Sequence, residues 1–416
     1  MSNLDIYISN IKKHKVSLII RLVAIVFLVT LLGIMAQPKD NKVHLKFSTW
    51  GSKSEIDIIK PLINDFEKEN PNIKVEFMHI PQSYFQKIHL LFASKTPPDV
   101  LFINNQNVPY YADAGVLLPL DRDLYKNDFE KKALDSLSYQ GKLYAVPRDI
   151  STIVVYYNDS LFSMYNVRKP SHEWTLDDML AKAICLSKDV DNDGKTDFWG
   201  VSFEENPPLY YLPYLMSKGG GILSEDGQNM IIDSDESQSG LEFYSNLRNL
   251  YHVAPTAAES ASETMLQMFL QGRLAMFVSG RWVVPKLKSD AKFYWNVMNF
   301  PKGENGSVVP LDASGWAIAK SSHHKKEAQM LIDFLASKNS ISKITQSELI
   351  VPARFDVQQA EFLNIDKNIN DRGDNLRNSV FLDSIKTSKI TPVSVDYNVV
   401  LDEVKTRTNY IFNVLK

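Results

Sequence analysis

Residues 43–80 read VHLKFSTWGSKSEIDIIKPLINDFEKENPNIKVEFMHI, and this stretch decides the fold class. Val43–Ser48 alternates into an apolar run and stops at Thr49-Trp50-Gly51-Ser52, the pattern of a strand followed by a loop. Between Ile56 and Glu69 the apolar residues Ile58, Ile59, Leu62, Ile63 and Phe66 recur at helical spacing on one face. Asn70-Pro71-Asn72 stops that helix, because the residue before a proline avoids the helical region. Ile73–Ile80 alternates strictly and predicts a second strand. Strand, helix and strand in this order form a crossover whose two strands lie parallel in one sheet.

The style continues downstream. Tyr84–Ser94 reads as an amphipathic helix, Pro97-Pro98 breaks it, and Asp99–Ile103 is a short apolar strand of the kind buried on both faces of a sheet. Gly141–Val146 and Ile153–Tyr157 read as strands around a loop, Pro147–Thr152. Thr175 opens a helix with Asp178 three residues on, as in a capping box. Leu274–Val278 and Trp316–Ala319 are further strands, Lys325–Ala336 is a helix, and the text from about Ile341 is mostly helical. Strands alternating with helices to the end give an α/β fold, most simply two lobes.

Composition is that of a globular chain: 416 residues, 44% hydrophobic and 23% charged, enough for two or three cores. A net charge of −3 argues against nucleic acid as a partner. The single cysteine, Cys185, excludes an intrachain disulfide or a cysteine-built metal centre, and reads as a buried thiol on a helix. Lys12-Lys13-His14-Lys15 precedes an apolar run from Val16 to Ala36 broken only by Arg21. That is the pattern of a signal peptide or membrane anchor over residues 1–37, with the body outside the cytoplasm, secreted or held at the membrane. Bulky Ile34 at the −3 position of a cut after Ala36 favours the uncleaved anchor helix.

None of the motifs GxxxxGK[ST], GxGxxG, GxSxG or HExxH occurs. A pair of glycosidase carboxylates needs only a separation in space, so a glycan-active hydrolase stays open as an alternative. Binding without catalysis is the economical reading.

The segments then line up, in order, with a known pattern. Leu45–Gly51 (LKFSTWG), Phe66–Val75 (FEKENPNIKV), Pro98–Val100 (PDV), Tyr111–Leu120 (YADAGVLLPL) and Gly141–Pro147 (GKLYAVP) come first. Val155–Phe162 (VYYNDSLF), Pro170–Leu176, Gly272–Trp282 (GRLAMFVSGRW), Ser314–Ile318 (SGWAI) and Val351–Arg354 (VPAR) follow. This order and spacing, from Leu45 to Arg354, resembles the family 1, carbohydrate-binding, extracellular solute-binding proteins of ABC importers, the family of maltose-binding protein. The resemblance implies a two-lobed periplasmic-binding-protein fold, type II-like, whose lobes are joined by crossing strands and close over a sugar. It divides the body into residues 43–148 plus about 298–336, and 149–297 plus about 337–416. It implies a periplasmic or cell-surface location, a monomer, ABC permease subunits as partners, no catalysis and no required cofactor. An anchored sensory or partner-docking protein is the alternative on the same fold.

Sugars stack their C–H faces on aromatic rings and offer hydroxyls to planar polar groups. Tryptophans beside glycine after strands are therefore the candidates for ligand binding: Trp50-Gly51, Trp282, and Gly315-Trp316, with a core role as the alternative for each and weightiest for Trp50. Arg354 is similar to the family's cleft arginine, or forms a surface salt bridge. Asn105 stands near where the family often places an acid, so an amide here departs from the pattern. Asp149 falls in the crossing between lobes as a hydroxyl acceptor, and Tyr210 offers another ring for stacking or packing. Asp189, Asp191, Asp193 and Asp197 alternate around Gly194 like the first half of a calcium loop, a structural Ca²⁺ site or a polar turn.

Overall fold

The computed structural model describes residues 21–22, 25–27, 42–365 and 378–413. The chain divides into two units, residues 1–43 and 44–416. In the first, Arg21–Leu22 and Ile25–Phe27 are helical and exposed; the rest of the expected signal or anchor lies outside the described residues. Among the described residues no helix is long and apolar enough to cross a membrane.

The body opens as its first strand predicts, with β1 (Val43–Thr49), α1 (Lys53–Glu69), β2 (Ile73–His79), α2 (Tyr84–Ala93) and β3 (Val100–Asn104). Ser52 caps α1 by accepting from the Glu55 amide at 3.4 Å, and Asn70 ends it by donating its side-chain amide to the Phe66 carbonyl at 2.9 Å. β4 (Ala145–Thr152), β5 (Val154–Asn158), α3 (Leu176–Leu186), β6 (Trp199–Val201), α4 (Leu212–Ser217) and α5 (Asp235–Asn249) follow. Then come β7 (Leu274–Ser279), β8 (Trp295–Asn299), β9 (Pro310–Ile318), α6 (Lys325–Leu335) and α7 (Lys338–Thr345). β10 (Val351–Pro352), α8 (Asn378–Thr387), β11 (Lys389–Ile390) and α9 (Tyr397–Asn413) complete the described chain.

Two sheets organise these elements. The first has the order β10–β4–β9–β3–β1–β2, with β11 pairing β9; the second runs β8–β5–β7–β6. β1 and β3 are parallel, while β9 is antiparallel to both β3 and β4, so the first sheet is mixed rather than purely parallel. Each sheet carries its own core. Phe47, Leu101, Phe102 and Trp316 are buried in the first lobe; Tyr211, Tyr214, Tyr244 and Phe412 interlock in the second. Burial of such side chains stabilises by about 1.5–3 kcal/mol each. The chain passes between lobes at Ile153, between β8 and β9, and between β11 and α9.

Several details depart from the expectation. Pro147–Thr152 is strand, not loop, because the chain runs straight through from the first sheet toward the second. Trp316 lies inside the long strand β9 and not at the start of a short one. The expected lobe change near residue 337 is not marked by a change of sheet: α7 packs on α1 and β10 pairs β4, while α8 touches β4, β5 and β8 together. α9 packs on α5 of the second lobe. Strands of two residues carry no periodicity that a sequence reading can register. Cys185 is exposed, because Ala183 and Leu186 occupy the buried face of α3. The Thr175–Asp178 capping box forms as expected, with reciprocal bonds of 3.1 and 2.9 Å.

Candidate ligand-binding cleft

Between the two lobes lies a cavity of about 230 Å³, lined by Trp50, Glu55, Arg148, Asp149 and Ser314 from the first lobe and by Arg281 and Trp282 from the second. Leu349–Val351, leading into β10, close one wall.

A β-bulge builds its floor. Ser314 opposes Asp149 and Gly315 opposes Pro147, so Arg148 is the extra residue of β4 and its side chain is re-aimed. Gly315 makes the close approach possible: a Cβ there would stand 2.1 Å from the Val146 carbonyl oxygen. Arg148 donates through Nε to Asp149 and through Nη1 to Glu55, both at 2.5 Å, with its guanidinium 4.2 Å over the Phe102 ring. Gly51, at φ +128°, leaves room for the Glu55 carboxylate, which a Cβ would meet at 2.4 Å. All three ionic groups are buried. Burial pushes the Asp149 carboxyl up in pKa, against the pull of Arg148.

Arg281 is held in the same manner. Its Nε donates to the Glu348 carbonyl at 2.9 Å, its Nη1 to Asn378, and its plane lies 4.9 and 5.0 Å from Phe362 and Phe381. Both cavity arginines are thus engaged by side chains of this protein, and the wall presents paired charges beside two indole rings. Such a surface suits a neutral, hydroxyl-rich ligand better than an anion. Trp50 is seated against Tyr84, Phe85 and Phe102. Trp282 lies over Gly280, where a Cβ would sit 2.0 Å from Cζ3 of the indole.

The structure therefore brings Trp50, Gly51, Asp149 and Trp282 to one place, with Gly315 beneath it. The remaining candidates stand elsewhere. Trp316 is 1% exposed and packs behind Phe102 at 6.1 Å, a core residue. Arg354 joins Asp128 and Asp356 and covers Phe129, the salt-bridge alternative. Asn105 is buried and donates to Asp312 at 3.0 Å while accepting from the Ala313 amide. An acid at 105 would set a second carboxylate beside Asp312, whose own carboxyl is already pushed up in pKa by burial. Tyr210 is outside the cavity, near Glu204, and its phenol is pushed up to about 12 by burial with Glu204 adding.

Glu55, Arg148 and Arg281 carry the cavity without having been assigned there. Arg148 follows one quoted motif and Arg281 lies inside another, but no sequence signal distinguishes a bulge residue such as Arg148 from its neighbours. Glu204 is a further addition. It follows β6 as Trp282 follows β7, and these strands are parallel, so both lie at the carboxyl edge of the second sheet where ligands of α/β proteins gather. Glu204 lines a second-lobe pocket of about 480 Å³ with Phe203, Arg248 and Thr264. Burial alone raises its carboxyl pKa to about 7.

In the acidic turn, carboxylate oxygens of Asp189, Asp191 and Asp197 lie within 4.8 Å of one another, and Asp193 is outside that group, 3.6 Å from Lys195. Each of the three also accepts a backbone N–H, from Gly194, Asp193 and Val190 respectively.

The profile of the bacterial extracellular solute-binding protein family matches residues 52–340. This chain belongs to that family. That family is one of solute-binding proteins, not of enzymes. The chain is 25% identical over 304 residues to a putative binding protein of Brucella abortus, covering 71% of this chain and 72% of the other. It is 25% identical over 333 residues to the multiple sugar-binding protein of Streptococcus mutans, covering 74% of each. The ABC substrate-binding protein of Listeria monocytogenes in complex with cycloalternan superposes with a TM-score of 0.78 at 25% identity, over 89% of this chain and 94% of that one. The maltose/maltodextrin-binding domain of Bdellovibrio bacteriovorus shares the fold, with a TM-score of 0.73 at 19% identity over 89% and 94%. The family is an extracellular one, in keeping with a body outside the cytoplasm.

Proposed function

We infer that this solute-binding protein captures a neutral sugar or short oligosaccharide between its lobes and delivers it to the permease of an ABC importer. The carrying observation is the inter-lobe cavity, with Trp50 on one lobe, Trp282 on the other, and a floor of mutually paired Glu55, Arg148 and Asp149. Stacking from both sides, with Asp149 and Ser314 meeting hydroxyls, favours the closed arrangement because the ligand touches both lobes only there. Glu204, at the same edge of the second sheet, would accept from hydroxyls of a longer ligand. The sugars bound by the Streptococcus and Listeria relatives support this class without fixing its member.

In this reading the protein acts as a monomer, and its basic and then apolar N-terminus carries the body across the membrane. Binding needs no cofactor; Asp189, Asp191 and Asp197 would hold a structural Ca²⁺. Small-angle scattering tests the closure. A malto-, galacto- or manno-oligosaccharide that binds should reduce the radius of gyration in the wild type and not in Trp282→Ala. Binding without any change in radius would refute the two-lobe capture.

A further inference from the structure

A second cavity, of about 350 Å³, shares no lining residue with the cleft. Its walls combine second-lobe residues Leu212, Met216, Ile222 and Ile231 with Ile390 and Pro392 of β11 and the crossing that follows. These walls are mainly apolar, with the hydroxyls of Tyr397 and Thr391 set among them. Tyr397 is the first residue of α9 and 5% exposed. As a phenol lining the cavity, it can donate one hydrogen bond to a guest there. Burial drives the phenol far above its usual range, with Asp312 and Tyr211 adding, so it stays a neutral donor.

The rim fixes the charge of the guest. Lys389 and Glu225 pair there at 2.7 Å and cancel, leaving nothing on the rim to select an ion. Gly221 lines the cavity, and a Cβ on it would meet Ile231 Cδ1 at 3.5 Å, ordinary contact. The position matters for motion. β11 pairs β9 at Pro310–Leu311, and Leu311 also faces Thr152 of β4 beside the first crossing. A guest here touches the second lobe and the strand that leads out of the first.

We propose that this cavity is a second binding site, for a neutral small molecule with an apolar body and a single hydroxyl, seated against the crossing between β11 and α9. The site is independent of the sugar cleft, so its failure leaves the proposed function standing, and the converse. Its occupancy differs between open and closed arrangements wherever the two lobes present different walls to the guest.

Calorimetric titration of the full chain with 4-ethylphenol, in the absence of sugar, tests the site. The expected result is saturable binding to the wild type, at least tenfold weaker binding to Tyr397→Phe, and none to Gly221→Leu, whose added side chain fills the cavity. Gly221→Leu should keep the wild-type unfolding midpoint, which separates a filled cavity from a damaged fold. The anion 4-ethylbenzoate should bind at least tenfold more weakly than the phenol. Unsaturable heats with the wild type, or undiminished binding to Gly221→Leu, would overturn the site. Equal binding of the benzoate, or of the phenol to Tyr397→Phe, would overturn the assigned ligand chemistry.

Discussion

Replacing Glu204 with glutamine should make the protein more stable in alkaline solution and no more stable in acid. Burial raises the Glu204 carboxyl from its ordinary 4.5 to about 7. Below pH 4.5 the group is protonated in the folded and the unfolded chain, and it contributes nothing to the difference. Between about 4.5 and 7 the unfolded chain releases its proton first, so stability falls as pH rises; above 7 the loss is constant. At about 1.36 kcal/mol per unit of pKa the loss is about 3.4 kcal/mol at most, a ceiling because the carboxyl is partly solvated. Glutamine keeps the shape and stays neutral throughout. Urea unfolding followed by tryptophan fluorescence should show Glu204→Gln about 2–3 kcal/mol more stable than wild type at pH 8 and indistinguishable near pH 4.5. The same difference at both pH values would refute the reasoning, as would a variant less stable at pH 8. On the proposed role of Glu204 in meeting hydroxyls of a longer ligand, the same variant should also lose affinity for a long oligosaccharide.

Further outcomes follow from the same geometry. Arg148→Met should destabilise by about 3–5 kcal/mol in urea unfolding, because it strands Glu55 and Asp149 as buried charges without a partner. Trp316→Ala should cost about 3–5 kcal/mol by the same measurement, as a large core deletion, whereas Trp282→Ala should cost much less and abolish sugar binding. Gly280→Ala should leave the fold intact yet push the Trp282 ring aside, weakening sugar binding at least tenfold by calorimetry. Calcium at one hundred times its dissociation constant should stabilise the wild type by about 2.7 kcal/mol in thermal unfolding, and should do nothing for Asp191→Asn.

Where a segment carries periodicity, the sequence was legible. The alternation of residues 43–48 and 73–80 and the helical stripe of 56–69 place β1, α1 and β2 within a few residues. Legibility failed where structure depends on pairing across distance. The bulge at Arg148 exists only because Ser314 and Gly315 lie opposite, more than 160 residues later. Trp316 looked like a loop tryptophan because Gly315 precedes it, but that glycine serves strand-to-strand approach and the indole turns into the core. Trp50 and Trp282, also near glycines, do line the inter-lobe cavity, and their glycines leave room for Glu55 and for the Trp282 ring itself. The amide at 105 makes sense only once Asp312 is seen beside it.

Calorimetric titration of the wild type and Trp282→Ala with a panel of neutral mono- and oligosaccharides tests the central claim most directly. The account predicts saturable one-to-one binding of at least one sugar to the wild type and its loss in Trp282→Ala, with unfolding midpoints within a few degrees of each other. A sugar that binds both proteins alike would contradict the assigned cleft, and a chain that binds none of the panel would contradict a sugar ligand.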